Sequence, residues 1–469
     1  MSKSDYEIVI GLEIHAELNT KTKIFCSCPN KFGASPNSNC CPICTGMPGS
    51  LPVLNKEAVR LTIKAGLACG CEINDYAVFE RKNYFYPDLS KAYQISQLVK
   101  PICLGGGITL STGKFIRLNR IHLEEDAGKL IHDLNETYID YNRGGVPLIE
   151  SVTEPDISSA DEAIEFLSKL RNRFIFANVA NCKMEQGGMR CDVNLSVRKK
   201  GAKEYGTRTE MKNLNSFKSV AKAIEYEANR QIELVERGEK VVQETRRWDD
   251  VKEISTSMRS KEDCQDYRYF PDPDLLTVKI FREDVAKLKA EMPLSQEKRI
   301  EKYTQEYGLP EKDTEVLVST KVISDYFDSC VKLLNEPKEI GNWILTEILK
   351  LNVSEEVPVS AENLTTIIKL VLDKKVSRSN AKILLEKVVE TGKDAMALAK
   401  SMDFLSNVSN DTITQIIDNL IASNPKAVED YEKTPDKVVQ FFIGGTMRET
   451  RGKADALFAK EYIISKLSK

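Results

Sequence analysis

Residues 6–18 read YEIVIGLEIHAEL and alternate between apolar and polar side chains. Isoleucine, leucine and alanine occupy the even positions from Ile8 to Leu18, while Glu13, His15 and Glu17 share the odd ones. A period of two is the pattern of a strand with one buried and one polar face. We therefore predict a half-buried β-strand in an antiparallel sheet, with two carboxylates and an imidazole side by side. An ordinary solvated outer face is the alternative for this strand alone.

Two later segments repeat the alternation. Residues 189–198, MRCDVNLSVR, place Arg190 and Asp192 opposite an apolar face, and residues 208–212, RTEMK, place Glu210 and Lys212 together. Acids on neighbouring strands suit Mg²⁺, and a lysine or arginine beside them suits phosphate oxygens. Each strand alone fits a solvated face, but three of them favour a metal–nucleotide site.

Composition limits the class of protein. A chain of 469 residues is long enough for about two to four domains. Its 41% hydrophobic and 29% charged residues are typical of a globular enzyme, and a net charge of −3 excludes a uniformly basic nucleic-acid-binding surface. The chain has no apolar run long enough for a membrane span, and MSKSDYE lacks the apolar core of a signal peptide. We expect a cytoplasmic protein without a membrane partner.

Four cysteines form two close pairs. Cys26 and Cys28 are followed, across a loop rich in glycine, proline and asparagine, by Cys41 and Cys44. Cytoplasmic cysteines are mostly reduced, and two such pairs match a four-thiolate zinc site. A closed thiolate set leaves no position for substrate, so the predicted zinc is structural. Cys40 is a spare neighbour that leaves the choice of ligands partly open.

Other kinds of chemistry find little support. Three histidines without a triad signature give no basis for acyl transfer through a protein nucleophile. Residues 105–115, GGGITLSTGKF, resemble a phosphate-binding loop, but the glycine spacing and Phe115 do not fit, and a hairpin is the better interpretation.

The chain changes character along its length. Up to residue 292, strand patterns mix with amphipathic helices at 160–176 and 217–237, and from Pro293 onward only helical patterns occur. We predict domains at 1–292, 293–400 and 401–469. Near the end, GGTMRETRGK at 444–453 predicts a basic turn that fits either a phosphate backbone or solvent.

Basic and aromatic residues gather in RKNYFYPDLSKAYQIS, residues 81–96, and again at residues 259–269. Such side chains suit a nucleotide's base, ribose and phosphates. The candidates for nucleotide binding are Tyr84, Tyr86, Lys91 and Arg259.

At this level of detail the chain resembles the GatB family, one of the component families of the tRNA-dependent amidotransferases, over nearly its whole length. The segments that carry the resemblance are IGLEIHAEL, FGASPNSN, RKNYFYPDLSKAYQISQ, HLEEDAGK, PLIESVTEPDI, MRCDVNLSVR, EMKNLNSF, ETRRWD and DYRYFPDPDL. The resemblance implies an α+β fold: an antiparallel-sheet cradle like those of glutamine synthetase and guanidino kinases, then an all-α helical domain and a small helical tail domain that binds tRNA.

The resemblance also implies an activity. Members of this family are part of a carbon–nitrogen ligase that uses glutamine as amide donor. Such a protein would use ATP and Mg²⁺ to phosphorylate the side-chain carboxylate of mischarged Glu-tRNA(Gln) or Asp-tRNA(Asn). Ammonia would come from an amidase-type glutaminase partner, and a small linking protein would complete the heterotrimer. A zinc-containing tRNA-binding scaffold without catalysis is the alternative.

The resemblance assigns roles to individual residues. Metal and nucleotide-phosphate contacts fall to Glu13, His15, Glu125, Glu150, Asp192 and Glu210. Phosphate or acceptor-carboxylate contacts fall to Arg190, Lys212 and Lys91. The choice of Glu125 over Glu124 is open, because a bulge would reverse which one faces the site. Two features depart from the family: some members lack the cysteines, and Asp455 replaces a usual asparagine in the tail.

Overall fold

The computed structural model describes residues 5–260, 266–405, 409–450 and 452–468, without the side chains of residues 259 and 260. It separates into two compact units, Met1–Gln296 and Glu297–Lys469. In the described ranges, no helix combines the length and the apolar character that crossing a membrane requires.

The described strands belong to the first unit. They are β1 (Tyr6–Glu17), β2 (Glu72–Ile73), β3 (Tyr76–Ala77), β4 (Glu80–Asn83), β5 (Tyr93–Ser96), β6 (Cys103–Leu104), β7 (Gly107–Thr109), β8 (Phe115–Glu125), β9 (Lys129–His132), β10 (Thr137–Asp140), β11 (Pro147–Thr153), β12 (Met189–Lys199), β13 (Thr209–Leu214), β14 (Glu244–Asp249), β15 (Ile254–Ser260), β16 (Phe270–Pro271) and β17 (Val278–Lys279).

Helices occur in both units. They are α1 (Lys56–Ala68), α2 (Ala160–Phe176), α3 (Phe217–Glu236), α4 (Arg282–Glu291), α5 (Gln296–Gln305), α6 (Glu311–Leu317), α7 (Lys321–Leu333), α8 (Pro337–Thr346), α9 (Ala361–Leu372), α10 (Arg378–Thr391), α11 (Ala395–Ser401), α12 (Asn410–Ser423), α13 (Pro425–Glu429), α14 (Pro435–Glu449) and α15 (Ala456–Leu467).

A ten-stranded sheet forms the centre of the first unit. Its order is β15-β14-β13-β12-β1-β11-β8-β6-β2, and β7 pairs with β8 beside this path. The pairs are antiparallel except β13 with β14, which is parallel. Strand β1 lies between β11 and β12, so that His15 is opposite Glu150 on one side and Arg190 on the other. On β8, His122 is opposite Glu150.

The two faces of this sheet have different chemistry. The apolar face contains the fully buried Ile10, Leu12 and Ile14 of β1, and helices α1, α2 and α3 cover it. The opposite face carries the charged odd-numbered positions of β1. Packing of the apolar face against the helices therefore holds the strands in place, and the polar side chains of β1 project from the opposite face of the same sheet.

The second unit contains only helices and turns in its described part. One cluster of buried side chains runs from Tyr303 to Ala399 and a smaller one from Ile413 to Ile463. Asp455 is the N-cap of α15, because its Oδ1 accepts hydrogen bonds from the backbone N–H of Leu457 (2.9 Å) and Phe458 (3.2 Å). Aspartate and asparagine both serve as N-caps, so this substitution preserves the local fold.

Most predictions about the fold are confirmed. The α+β class and the helix at 160–176 agree with the structure, and Gly107 and Phe115 belong to the predicted hairpin. The prediction of a turn beginning at Gly444 is wrong, because both Gly444 and Gly445 lie inside α14. A Cβ on Gly445 would be 3.0 Å from Leu420 Cδ1, so glycine serves close helix packing there. The separation of helical and tail domains stays a prediction.

Candidate metal and nucleotide site

Three side chains from adjacent strands converge on the polar face of the sheet. His15 Nε2 lies 3.3 Å from Glu124 Oε1 and 3.4 Å from Glu150 Oε2. One ligand atom from each of the three lies within 4.8 Å of the others. An imidazole and two carboxylates at this separation can bind one divalent cation. We call His15, Glu124 and Glu150 the acid–histidine cluster.

A second histidine lies directly behind this cluster. His122 Nε2 is 3.4 Å from Glu150 Oε2 and 3.6 Å from Glu124 Oε2. Ser96 Oγ donates a hydrogen bond of 3.1 Å to the same Glu124 Oε2. In the carboxylate of Glu124, Oε2 therefore faces Ser96 and His122, and Oε1 faces His15.

The electrostatics of the cluster favour bound positive charge. Burial lowers the pKa of His15, but hydrogen bonds and Coulomb attraction to Glu124 and Glu150 outweigh it and raise that pKa to about 10. Burial raises the pKa of Glu124, but hydrogen bonds with His122 and His15 bring it below its usual value. The two carboxylates that stabilise a proton on His15 would equally stabilise a metal ion bound in place of that proton.

A second group of charges extends along β12 and β13. Lys212 Nζ lies 2.5 Å from Asp192 Oδ2 and 2.8 Å from Glu210 Oε1. Asn194 Nδ2 donates a hydrogen bond of 2.9 Å to Glu13 Oε1. Burial, then the charges of Glu150 and Glu210, raise the pKa of Glu13. Glu13 is opposite Asp192 in the pairing of β1 with β12, so this group of charges continues the polar face that carries the acid–histidine cluster.

A lysine from another sheet lies near the cluster. Lys82 is on β4, which pairs with β5 and β16 in a separate three-stranded sheet. Its Nζ is 4.9 Å from the centre of the Tyr267 ring. Burial lowers the pKa of Lys82, but the carboxylates of Glu124 and Glu150 and nearby tyrosines raise it above its ordinary value. This cation therefore lies within the electrostatic field of the cluster.

The predicted thiolate set is also assembled. Sγ atoms of Cys26, Cys28, Cys41 and Cys44 lie within 4.8 Å of one another. Tetrahedral zinc with bonds of about 2.3 Å to sulfur needs sulfurs about 3.8 Å apart, so a small contraction would suffice. The pKa of Cys44 is lowered to about 4, because a hydrogen bond from Cys26 and the charge of the Lys23 ammonium together outweigh the opposing effect of burial. Cys40 is directed instead to the side-chain oxygens of Asn37 and Asn142.

Comparison with known proteins identifies the family of the chain. A family model described as the GatB/GatE catalytic domain matches residues 8–286, and one described as the GatB domain matches residues 325–467. The chain belongs to the GatB family. It is 49% identical to a protein of Caldicellulosiruptor bescii, with 99% of this chain and 100% of the relative covered. It is 47% identical to one of Thermodesulfovibrio yellowstonii, with 98% of each covered. Both relatives are named as the B subunit of an aspartyl/glutamyl-tRNA(Asn/Gln) amidotransferase.

The structure of this GatB chain brings some predicted site residues together and separates others. Glu125 lies outside the acid–histidine cluster: its carboxylate accepts hydrogen bonds from Lys91 Nζ, at 2.6 Å to each oxygen, and from the Ile95 N–H at 2.9 Å. Glu124 therefore takes the position that the sequence assigned to Glu125. The strand continues without a bulge through this point, so Glu124 shares the face of His122.

The basic and aromatic residues predicted to contact nucleotide or phosphate do not all lie together in the structure of this GatB chain. Arg190 donates a hydrogen bond of 2.9 Å to Asp126 Oδ2 instead of lying free. Tyr84 and Lys91 line an open cavity of about 720 Å³, while Tyr86 is 55% exposed at the surface. Arg259 lies in β15, but its side chain is outside the described residues.

Sequence reasoning did not place two contributors to the GatB site beside the predicted metal ligands. His122 falls within HLEEDAGK and received no role, although alternation on β8 places it two residues from Glu124 on the same face. Lys82 is one of several basic residues in a loop-like segment, and only the pairing of β4 with β5 identifies it as part of a sheet beside the acids.

Proposed function

We propose that this chain is the component of a tRNA-dependent amidotransferase that activates the acceptor carboxylate with ATP and then amidates it. The substrates would be Glu-tRNA(Gln), Asp-tRNA(Asn) or both. The observation that carries the proposal is the acid–histidine cluster, whose three ligand groups come from β1, β8 and β11 and lie on the polar surface of the sheet. A cytoplasmic enzyme of translation is the expected setting.

The ligand set fits a divalent cation such as Mg²⁺. His15, Glu124 and Glu150 would hold it, with Glu13 next along the face. Bound Mg²⁺ would supply positive charge to the phosphate oxygens of ATP during phosphoryl transfer. The carboxylates are fixed before the substrate arrives, because the hydrogen-bond partners of Glu124 include both Ser96 and the two histidines.

Cations of the chain would position the phosphates. Lys212 is held between Asp192 and Glu210, and Lys82 lies in the field of Glu124 and Glu150. Charges of both signs around a phosphoryl group align it and stabilise the negative charge that spreads over its oxygens. Asp192 and Glu210 would act mainly by keeping Lys212 in place, with further metal contacts as predicted from the family.

The two chemical steps balance. A carboxylate oxygen of the tRNA-bound amino acid attacks the γ-phosphorus of ATP, the bond to the β–γ bridging oxygen breaks, and ADP leaves. Ammonia then attacks the carbonyl carbon of the acyl phosphate, inorganic phosphate leaves, and a proton is lost to give the amide. Ammonia would come from a glutaminase partner, with a small third protein completing the complex. The naming of the relatives as one lettered component of an amidotransferase supports such an assembly.

The four cysteines would hold a structural zinc ion. The thiol sulfurs already lie close together, and four thiolates complete a tetrahedral coordination sphere. This site belongs to the stability of the 26–44 loop, and we assign it no step of the reaction.

The decisive experiment measures transfer of labelled γ-phosphate from ATP to Glu-tRNA(Gln) by the reconstituted complex without an ammonia source. Wild-type complex should accumulate acyl phosphate or release ADP in a tRNA-dependent manner. Glu150→Gln keeps the size of the side chain but removes one ligand charge, and it should lower the rate about 10³-fold, equal to about 4 kcal/mol of barrier.

A matched control is Glu72→Gln, which changes an exposed carboxylate on β2 of the same sheet. This variant should react at the wild-type rate. Binding of tRNA by wild-type complex without any phosphoryl transfer would support the alternative, a zinc-containing tRNA-binding scaffold. Equal rates for wild type and Glu150→Gln would exclude the acid–histidine cluster as the site.

A further inference from the structure

The two histidines at the acid–histidine cluster differ in exposure and in contacts. The side chain of His15 is 21% exposed and that of His122 is 3% exposed. Both direct Nε2 to the carboxylates of Glu124 and Glu150. The other ring nitrogen of His122, Nδ1, lies 3.3 Å from Nε of Arg120 and receives a hydrogen bond from it. This last contact determines which nitrogen of His122 can bear a proton.

A guanidinium group can only donate hydrogen bonds. Nδ1 of His122 must therefore be the acceptor in its contact with Arg120, so it carries no proton. The remaining nitrogen, Nε2, then carries the proton of a neutral ring. Arg120 is itself oriented by a hydrogen bond of 3.3 Å from Nη1 to Asn119 Oδ1. Arg120 thus selects the Nε2–H tautomer of His122.

An Nε2–H group cannot be a metal ligand, because its lone pair is replaced by the proton. It can donate to Glu150 Oε2 at 3.4 Å, with Glu124 Oε2 as a second neighbour at 3.6 Å. Ser96 supports the same oxygen of Glu124 at 3.1 Å. The opposite oxygen, Glu124 Oε1, remains directed to His15 at 3.3 Å.

We propose that His122 is a positioning residue, held as the Nε2–H tautomer by Arg120, which orients the carboxylates of Glu150 and Glu124 toward a divalent cation bound with His15. This proposal rests on the metal site of the proposed function. His15 would then be a metal ligand, and His122 would be a hydrogen-bond donor to the carboxylates that bind the metal. Removing a hydrogen-bond partner of a metal ligand weakens metal binding by about 10- to 100-fold.

The tautomer can be measured without any metal. The chain has 3 histidines, so ¹⁵N-histidine labelling of the full-length chain gives three ring patterns. His132, exposed on β9, is assigned by its loss in His132→Leu. We expect His122 to show an unprotonated Nδ1 and a protonated Nε2. In Arg120→Met this preference should weaken. A protonated Nδ1 on His122 in the wild type would overturn the proposal.

The division of roles can be measured with Mn²⁺, which accepts imidazole and carboxylate ligands and is paramagnetic. Pulsed EPR of the wild-type chain with Mn²⁺ should show a directly bound nitrogen. His15→Gln should lose this signal. His122→Leu should keep it but bind Mn²⁺ about 10- to 100-fold more weakly. His122→Gln, whose amide N–H reaches the Nε2 position, should recover part of the affinity, and His132→Leu should behave as wild type.

Loss of the nitrogen signal in His122→Leu with retention in His15→Gln would reverse the two roles and overturn the proposal. Unchanged Mn²⁺ affinity in a folded His122→Leu would also overturn it. Failure of wild type to bind Mn²⁺ would instead remove the metal site of the proposed function, and the tautomer measured by NMR would still decide the contact with Arg120. Circular dichroism of each variant separates these results from loss of folding.

Discussion

Two groups of side chains in the first unit could each hold a metal ion, and they differ in the chemistry of their ligands and in the backbone that carries them. The thiol group consists of four sulfurs on a loop that leaves β1 and returns to α1. The acid–histidine cluster consists of nitrogen and oxygen ligands on three hydrogen-bonded strands. Sulfur ligands favour zinc, whereas carboxylates favour Mg²⁺ and Mn²⁺.

This difference indicates what each group contributes. Four thiolates around one ion form a closed site whose free energy of binding stabilises its own loop. Three ligands do not fill the coordination sphere of a divalent cation, so under the proposed function phosphate oxygens would complete it. The thiol group should therefore control stability, and the acid–histidine cluster should control the reaction. The following variants test that separation.

The largest effect on stability is expected from Cys41→Ser. Removing one thiolate should release zinc and lower the free energy of unfolding by about 4 kcal/mol or more, since the ion no longer holds the 26–44 loop. Chemical denaturation and metal analysis of purified wild type and variant measure both. Cys28→Ser should give the same result. Wild-type protein without zinc would contradict the assignment.

The next effect falls on the reaction. In Asp192→Asn, Lys212 Nζ loses the full charge of a carboxylate at 2.5 Å while Glu210 remains at 2.8 Å. Phosphoryl transfer should fall about 10²-fold, equal to about 2.7 kcal/mol, and the midpoint of unfolding should hardly change. Asp133→Asn, in the loop between β9 and β10, is the control. If Asp192→Asn instead unfolds the protein without slowing folded molecules, the separation of roles fails.

Much of this contrast could be predicted from sequence, because each group has a local pattern. The alternation at 6–18 identified the polar face of β1, and the spacing of Cys26, Cys28, Cys41 and Cys44 identified the thiol group. The choice between Glu124 and Glu125 could not be made, since it depends on whether a bulge interrupts β8, and the local sequence does not reveal a bulge. Register between strands, which places His122 opposite Glu150, is likewise set by pairing and not by local pattern.

A third variant examines the positive charges of the site. Lys212→Met keeps most of the length of the side chain but leaves Asp192 and Glu210 without the cation between them. We expect KM for ATP to rise about 10-fold, equal to about 1.4 kcal/mol, because an ammonium near the phosphates is lost and two acids repel them. Steady-state kinetics with tRNA at saturation measures it. Lys212→Arg should recover part of the affinity, and an unchanged KM would show that Lys212 does not meet ATP.

The smallest effect is expected at Cys40, which precedes a predicted zinc ligand in sequence but is not one of the four clustered thiols. Its Sγ lies 3.8 Å from Asn142 Oδ1 and 3.9 Å from Asn37 Oδ1. Cys40→Ser preserves a donor at this position, so the free energy of unfolding should change by less than about 0.5 kcal/mol and zinc content should stay at the wild-type level. Loss of zinc in this variant alone would mean that Cys40 replaces one of the four assigned ligands, and the comparison with Cys41→Ser would then identify which sulfurs form the site.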